Sequence, residues 1–203
     1  MRSEAGRRIY IASSWKNSGA VRDLAIYFRE QGHQVFDFTD IDNRPEGLDK
    51  FVFHASQWLG KALSEIDWLE FLASPATTRA FRSDKAGLDW ADTVVLVVPS
   101  GRSSHLEAGY GVGQGKDLFI WGDLLLGEFD AMYGFAKGCF RASDLSKLLM
   151  ALNDKGEKVG GKCQTCGKEL PEPQMNLCSD CFDKNGHTKG VRITKKVGGE
   201  KHE

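Results

Sequence analysis

Apolar positions along the chain fall into short unbroken runs separated by amphipathic stretches. "RRIYIAS" (7–13), "HQVFDF" (33–38), "TVVLVVP" (93–99) and "DLFIWG" (117–122) read as strands, and "GCFRA" (138–142) as a short last one. "VRDLAIYFREQG" (21–32) carries the 3.6-residue period of a helix closed by Gly32. Residues 47–81 are mostly helical by period, with Pro75 marking a break, and "SDKAGLDWAD" (83–92) predicts a further short helix. Helices are also expected over 104–115, 127–137 and 143–154, the last capped by Ser143.

Strand–helix alternation with unbroken apolar strands implies a parallel sheet covered on both faces. The expected fold class is α/β: a doubly wound, flavodoxin-like (Rossmann-like) sheet of five strands. Ligands of such sheets bind beyond the carboxyl ends of the strands, at the switch point. That rule singles out "ASSWKNSG" (12–19) after the first strand and "PSGRSSHLE" (99–107) after the central one.

Composition adds limits. The 203 residues, 41% hydrophobic and 27% charged, suffice for one ordinary domain and a small appendage. A net charge of −1 leaves no global footprint for nucleic acid or membrane. No apolar run approaches the roughly 20 residues that span a bilayer, and "MRSEAGRR" lacks the apolar region of a secretory signal. A cytoplasmic protein without a membrane partner is expected.

Four of the five cysteines form "CQTCGKELPEPQMNLCSDC", a C-x2-C-x11-C-x2-C pattern. Cys163, Cys166, Cys178 and Cys181 can place four thiolates on one tetrahedral zinc at about 2.3 Å, and Gly167 permits the first knuckle's turn. So short a segment has no core of its own, so zinc would supply its folding energy. Four thiolates leave no open coordination position, which makes the expected zinc structural. His187 is a spare potential ligand, and a redox role for one C-x2-C is the minor reading. Cys139, alone in "GCF", reads as a buried small hydrophobe. The expected organisation is an α/β domain (1–154), a Gly/Lys-rich linker (155–162), a zinc module (163–182) and a basic, disordered tail (183–203). A zinc ribbon and a basic tail also suit a protein or nucleic-acid partner.

The glycines of "SGRSSHLEAGYGVGQGK" (100–116) raise three familiar readings, and residue identity rejects each. The phosphate-binding P-loop fails because Tyr110 stands at its first glycine and Asp117 follows Gly115-Lys116. The dinucleotide fingerprint fails at Gln114. A nucleophile elbow around Ser103 fails because His105 replaces its last glycine. What is left is a carboxylate, Glu107, near the start of a helix that follows a buried strand. A charge favourable to the helix dipole is the plain reading of it. Gly109 and Gly113, four residues apart, are expected to bring this helix close to the sheet, while Gly111 and Gly115 read as exposed or terminal.

"SDKAGLDWADTVVLVVPSGRSSHLEAGYGVGQGK" resembles the nucleoside 2-deoxyribosyltransferase superfamily, which includes nucleoside and nucleotide N-glycosidases. Its members carry an Asp, an Ala-Asp or similar pair, a hydrophobic strand, a loop, then Glu-x-Gly-Tyr/Phe. Here these are Asp84, Ala91-Asp92, residues 93–98 and Glu107-Ala108-Gly109-Tyr110, and "IYIASSWKN" fits the family's opening strand and polar loop. The resemblance covers roughly residues 7–125. It implies cleavage of the bond between C1′ of a (deoxy)ribose and a nucleobase, by hydrolysis or by transfer to a second base. Glu107 is then the nucleophile or oxocarbenium stabiliser, and Asp84 the general acid/base. Tyr10, Ser13, Ser14, Lys16, Asn17, Gly101, Arg102, Ser103, Ser104 and His105 are expected around the substrate. Ser14 and Lys16 stand where nucleotide-hydrolysing members meet a 5′-phosphate, which tilts the expectation toward a nucleotide. Ser103 or Ser104 equally suits the helix N-cap. Asp89 and Asp92 read as solvated caps. Residues 45–81 are longer and richer in aromatics than in small members, with Phe51, Phe53, Trp58, Trp68 and Phe71, a set suited to core or dimer surface. A homo-oligomer is implied because some homologues complete each site with a neighbouring subunit. Two alternatives stay open: a TIR-like NAD glycohydrolase, and a non-catalytic nucleotide sensor docking through its zinc ribbon.

Overall fold

Five strands pair in parallel in the order β2-β1-β3-β4-β5: β1 (Arg8–Ala12), β2 (Gln34–Phe36), β3 (Thr93–Val98), β4 (Asp117–Gly122) and β5 (Gly138–Phe140). This computed structural model describes residues 6–51, 67–124, 128, 130–154 and 168. Residues 1–155 form one unit and 156–203 another; the first is described below. The strand order is the doubly wound one that the alternation predicts, and it reverses between β1 and β3. All six residues of β3 are buried, as a central strand covered on both faces requires.

Strand alternation sends side chains to two cores. Ile9, Ile11, Val95, Val97 and Phe119 meet Val21, Leu24 and Phe28 of α1 (Ser18–Glu30) and Leu148 and Leu152 of α5 (Leu145–Asn153). Tyr10, Val94, Leu96, Leu118 and Ile120 meet Leu88 of α3 (Pro75–Trp90) and Ala108 of α4 (Arg102–Gly113). At the amino edge, opposite the predicted ligand edge, Arg7 donates to Asp117 Oδ2 at 2.7 Å and to the Asp154 carbonyl at 2.9 Å. Arg7 therefore ties β4 to the end of α5.

Several local expectations need correction. Pro75 starts a helix instead of breaking one: it fills the first turn, where no N–H is needed, behind the Ser74 N-cap. The helix expected at 83–92 is therefore the second half of one continuous α3. Upstream, α2 (Trp68–Ala73) is capped by Asp67, residues 47–51 are not helical, and 52–66 lie outside the described residues. Within the stretch expected as a helix over 127–137, the described residues form only a 3-10 turn, Ala131–Phe135. Ser143 sits inside another 3-10 turn and does not cap α5. Cys139 is exposed. It lies on the edge strand β5, whose next residue, Phe140, turns to the α1–α5 core instead.

The glycines of α4 also trade places. A Cβ on Gly111 would stand 2.7 Å from Val94 Cγ2, whereas Gly109 and Gly113 have open space around them. Gly111 is thus where the helix meets β3, and Gly115, at φ +77°, ends it in the left-handed conformation. The helix is rotated by two residues from the expected phase. Gly109→Ala should stabilise the α/β unit by about 0.5–1 kcal/mol through helix propensity. Gly111→Ala should destabilise it, because overpacking against a stiff β-branched neighbour costs about 1–3 kcal/mol. Urea midpoints moving in opposite directions would bear this out; two upward shifts would refute the packing.

Candidate active site

The loop leaving β1 is locked onto the end of β3. Ser13 Oγ donates to the Val97 carbonyl at 3.0 Å, while Asn17 Nδ2 donates to Ser13 Oγ at 3.0 Å and to the Pro99 carbonyl at 2.7 Å. Ser14 caps the turn Trp15–Asn17 by accepting from the Lys16 amide. These three side chains spend hydrogen bonds on fixing the loop, and the Lys16 side chain is left at the surface.

After β3 the chain enters α4 with Gly101 as N-cap and no side-chain cap. Ser103 and Ser104, the expected caps, lie within the first turn instead; Ser104 is buried, and Arg102 and Ser103 are exposed. His105 Nδ1 lies 2.9 Å from the Gly101 carbonyl, so it carries the hydrogen, and Nε2 accepts from the Tyr133 hydroxyl at 3.0 Å. This pair lines a cavity of about 290 Å³ at the ends of β3 and β4, together with Ser100, Glu128 and Asp130.

Glu107, two residues after His105, points from the opposite side of α4, because a two-residue step turns a helix by about 200°. There it meets Asp84 of α3 and the hydroxyl of Tyr10, which is 1% exposed on β1. Burial, and then the negative charge of Asp84, raise the Glu107 carboxyl to about 8, against a smaller opposing effect of the Tyr10 hydrogen bond. Burial likewise raises Asp84 to about 6, with Arg44 pulling the other way. Tyr10 is pushed well above the usual phenol range by burial and by both carboxyls. The structure thus brings together three residues drawn from β1, α3 and α4.

Arg44 was not singled out by the sequence reading. It follows β2, is 6% exposed, and its Nη1 donates to the carbonyls of Asp49 (2.6 Å) and Phe51 (2.8 Å) and to Ser83 Oγ (3.0 Å). Its guanidinium lies 4.5 Å over the ring of Phe36, which stacks on Tyr10 at 5.2 Å. Had the carboxyl-end rule been applied to the loop after the second strand as well, it would have drawn attention to this residue.

Asp89 is more than a solvated cap. It accepts from the Tyr110 hydroxyl at 2.7 Å and from Lys85 Nζ at 2.6 Å, so Tyr110 ties α4 to α3 instead of facing the carboxyl pair. This tie fixes the two helices that carry Glu107 and Asp84. Asp92 accepts from the Arg8 amide at 3.1 Å and from Thr93 Oγ1 at 2.9 Å, locally at the start of β3.

With known proteins the chain shares little. No family model matches it, and no curated protein does. Among solved structures, the CMP N-glycosidase BcmB of Clostridium botulinum is similar at 12% identity and a TM-score of 0.42, over 71% of this chain and 97% of that one. Among the described residues, no group of three or more His, Cys, Asp or Glu is placed to hold a metal. Cys163, Cys166, Cys178, Cys181 and His187 lie outside the described residues. No described helix is long and apolar enough to cross a membrane.

Proposed function

We propose that the chain cleaves the N-glycosidic bond of a nucleoside or nucleoside 5′-monophosphate. The supporting observation is the half-buried Glu107–Asp84 pair, raised to about 8 and about 6, against Tyr10 of β1, one of the two strands that flank the switch point. Such a pair titrates as a unit and holds one proton at neutral pH.

One carboxylate and one carboxylic acid are what this reaction needs. Glu107 lies beneath C1′ and Asp84 beside the base. As the C1′–N bond breaks, positive charge grows at the anomeric carbon and favours ionised Glu107. The proton of the pair then serves from Asp84 to neutralise the leaving base. A Glu107 oxygen bonds to C1′, or stabilises the cation there. Water then attacks C1′ and loses its proton to Asp84, which restores the pair; a second base attacking in place of water would make the chain a deoxyribosyltransferase. In the empty site burial places the proton on Glu107, so it is the developing positive charge that reverses the order. Tyr10 steadies the ionised form of Glu107. The α4 amides that no side chain caps, with Lys16 and Arg102 at the surface, suit a 5′-phosphate.

Incubation with a panel of nucleosides, 5′-monophosphates and NAD, followed by chromatography, tests the proposal. Free base is the expected product. Nicotinamide alone would select the NAD reading, and binding without turnover would select a sensor. The rate should be bell-shaped in pH, with limbs near about 6 and about 8. Below the lower limb both groups are protonated and no carboxylate faces C1′. Above the upper limb neither holds a proton for the base. A rate still rising well above the upper limb would rule out a protonated partner.

A further inference from the structure

Arg44 is a buried cation that the chain holds in an unusual way. Its Nη1 is satisfied by two backbone carbonyls and the Ser83 hydroxyl, all neutral, and its plane rests on Phe36. Among the described residues no carboxylate lies within ion-pair distance of it. Burying a cation without a contacting counter-charge is expensive. Its field must therefore fall on something further away.

The charged and titratable groups facing it come from every neighbouring element. They are Tyr10 on β1, Asp37 at the end of β2, Asp49 in the following loop, and Asp84 on α3. Glu107 on α4 stands beyond Asp84. Asp37 is already paired with Arg29 at 2.7 Å, and Asp49 with Arg79 at 3.1 Å. Asp84 has no ion pair among the described residues, and it directly follows Ser83, the side chain that Arg44 holds. It is the carboxyl left to respond.

We infer that Arg44, buried against Ser83 and Phe36, is a positioning residue: the electrostatic partner that favours the ionised form of Asp84. Desolvation favours protonated Asp84, and the Arg44 cation opposes it without binding the carboxylate so tightly that it could not take up a proton. This assignment deepens the N-glycosidase reading, and only its catalytic meaning rests on that reading.

The test is a side-chain carboxyl 13C NMR titration of the full chain, its signals assigned with Asp84→Asn and Glu107→Gln. In the unsubstituted protein Asp84 should titrate below Glu107; the reverse order would overturn the inference without any variant at Arg44. In folded Arg44→Gln the Asp84 titration should move up by about one unit or more, since an opposite charge nearby lowers a carboxyl by about 1–3 units. Arg44→Lys keeps a cation and should stay near the starting value. An unchanged Asp84 titration in folded Arg44→Gln would sink the idea. The titration needs no substrate, so it stands even if the substrate panel yields no product. If product does form, the acid limb of the rate must follow the Asp84 titration; a fixed limb with a moved titration separates the two failures.

Discussion

Glu107→Gln should release base at least about 10³-fold more slowly than the unsubstituted chain, with KM for the substrate little changed. Replacing a nucleophile whose charge matters only in the transition state removes transition-state stabilisation and leaves ground-state binding. The fold should survive, because the amide is isosteric and can still accept from Tyr10. Stability provides an internal control. Glu107 sits at about 8 in the folded chain against 4.5 for a free glutamate, so the native state keeps a proton that the unfolded chain has lost. Its contribution is complete below the unfolded value and is lost as pH rises toward about 8. A neutral glutamine escapes that loss, so the variant should equal or exceed the parent in urea at pH 9. Full activity in a folded Glu107→Gln protein would remove the proposed chemistry. Asp84→Asn should also be slow, by about 10²–10⁴-fold, because an amide cannot supply the proton.

The second large effect concerns the cysteine-rich segment. We propose that Cys163, Cys166, Cys178 and Cys181 hold a single structural zinc, the donor set being four soft thiolates in two C-x2-C pairs. Zinc in such modules is worth about 10–16 kcal/mol of apparent folding free energy in peptides near neutral pH. Elemental analysis of the purified chain should find one zinc, and chelation or Cys178→Ser should remove it. Proteolysis should then cut between about residues 155 and 182 while the α/β unit stays intact. Five freely titrating thiols, Cys139 among them, in a metal-free, protease-resistant chain would refute the assignment. Base release should persist after chelation, since a closed four-thiolate site gives substrate no coordination position.

Much of the sheet was legible because strands announce themselves locally. "TVVLVV" is apolar at every position, and a strand covered on both faces has no other composition open to it. The amphipathic period of α1 and the punctuation by Gly32 belong to the same class. Local signals misled where one residue supports two opposite roles. Pro75 breaks a helix in its interior but opens one at its first turn, and only the Ser74 cap decides between them. Cys139 looked buried because its neighbours are apolar, yet on an edge strand only one face was covered.

The candidate site divides in the same way. Glu107 and Asp84 were nameable from their motif, and Ser13 and Asn17 from the loop after β1. Their surroundings were not: Tyr110 holds Asp89, Gly111 and not Gly109 meets Val94, and Arg44 lies over Phe36, which stacks on Tyr10.

The order of elements, the parallel sheet and the cysteine spacing follow from the sequence alone, because hydrogen-bond geometry and side-chain period act between near neighbours. The rotation of α4, the burial of Arg44 and the raised carboxyls were settled only when β1, β2, α3 and α4 met. Desolvation and charge act between residues that are neighbours in space and strangers along the chain.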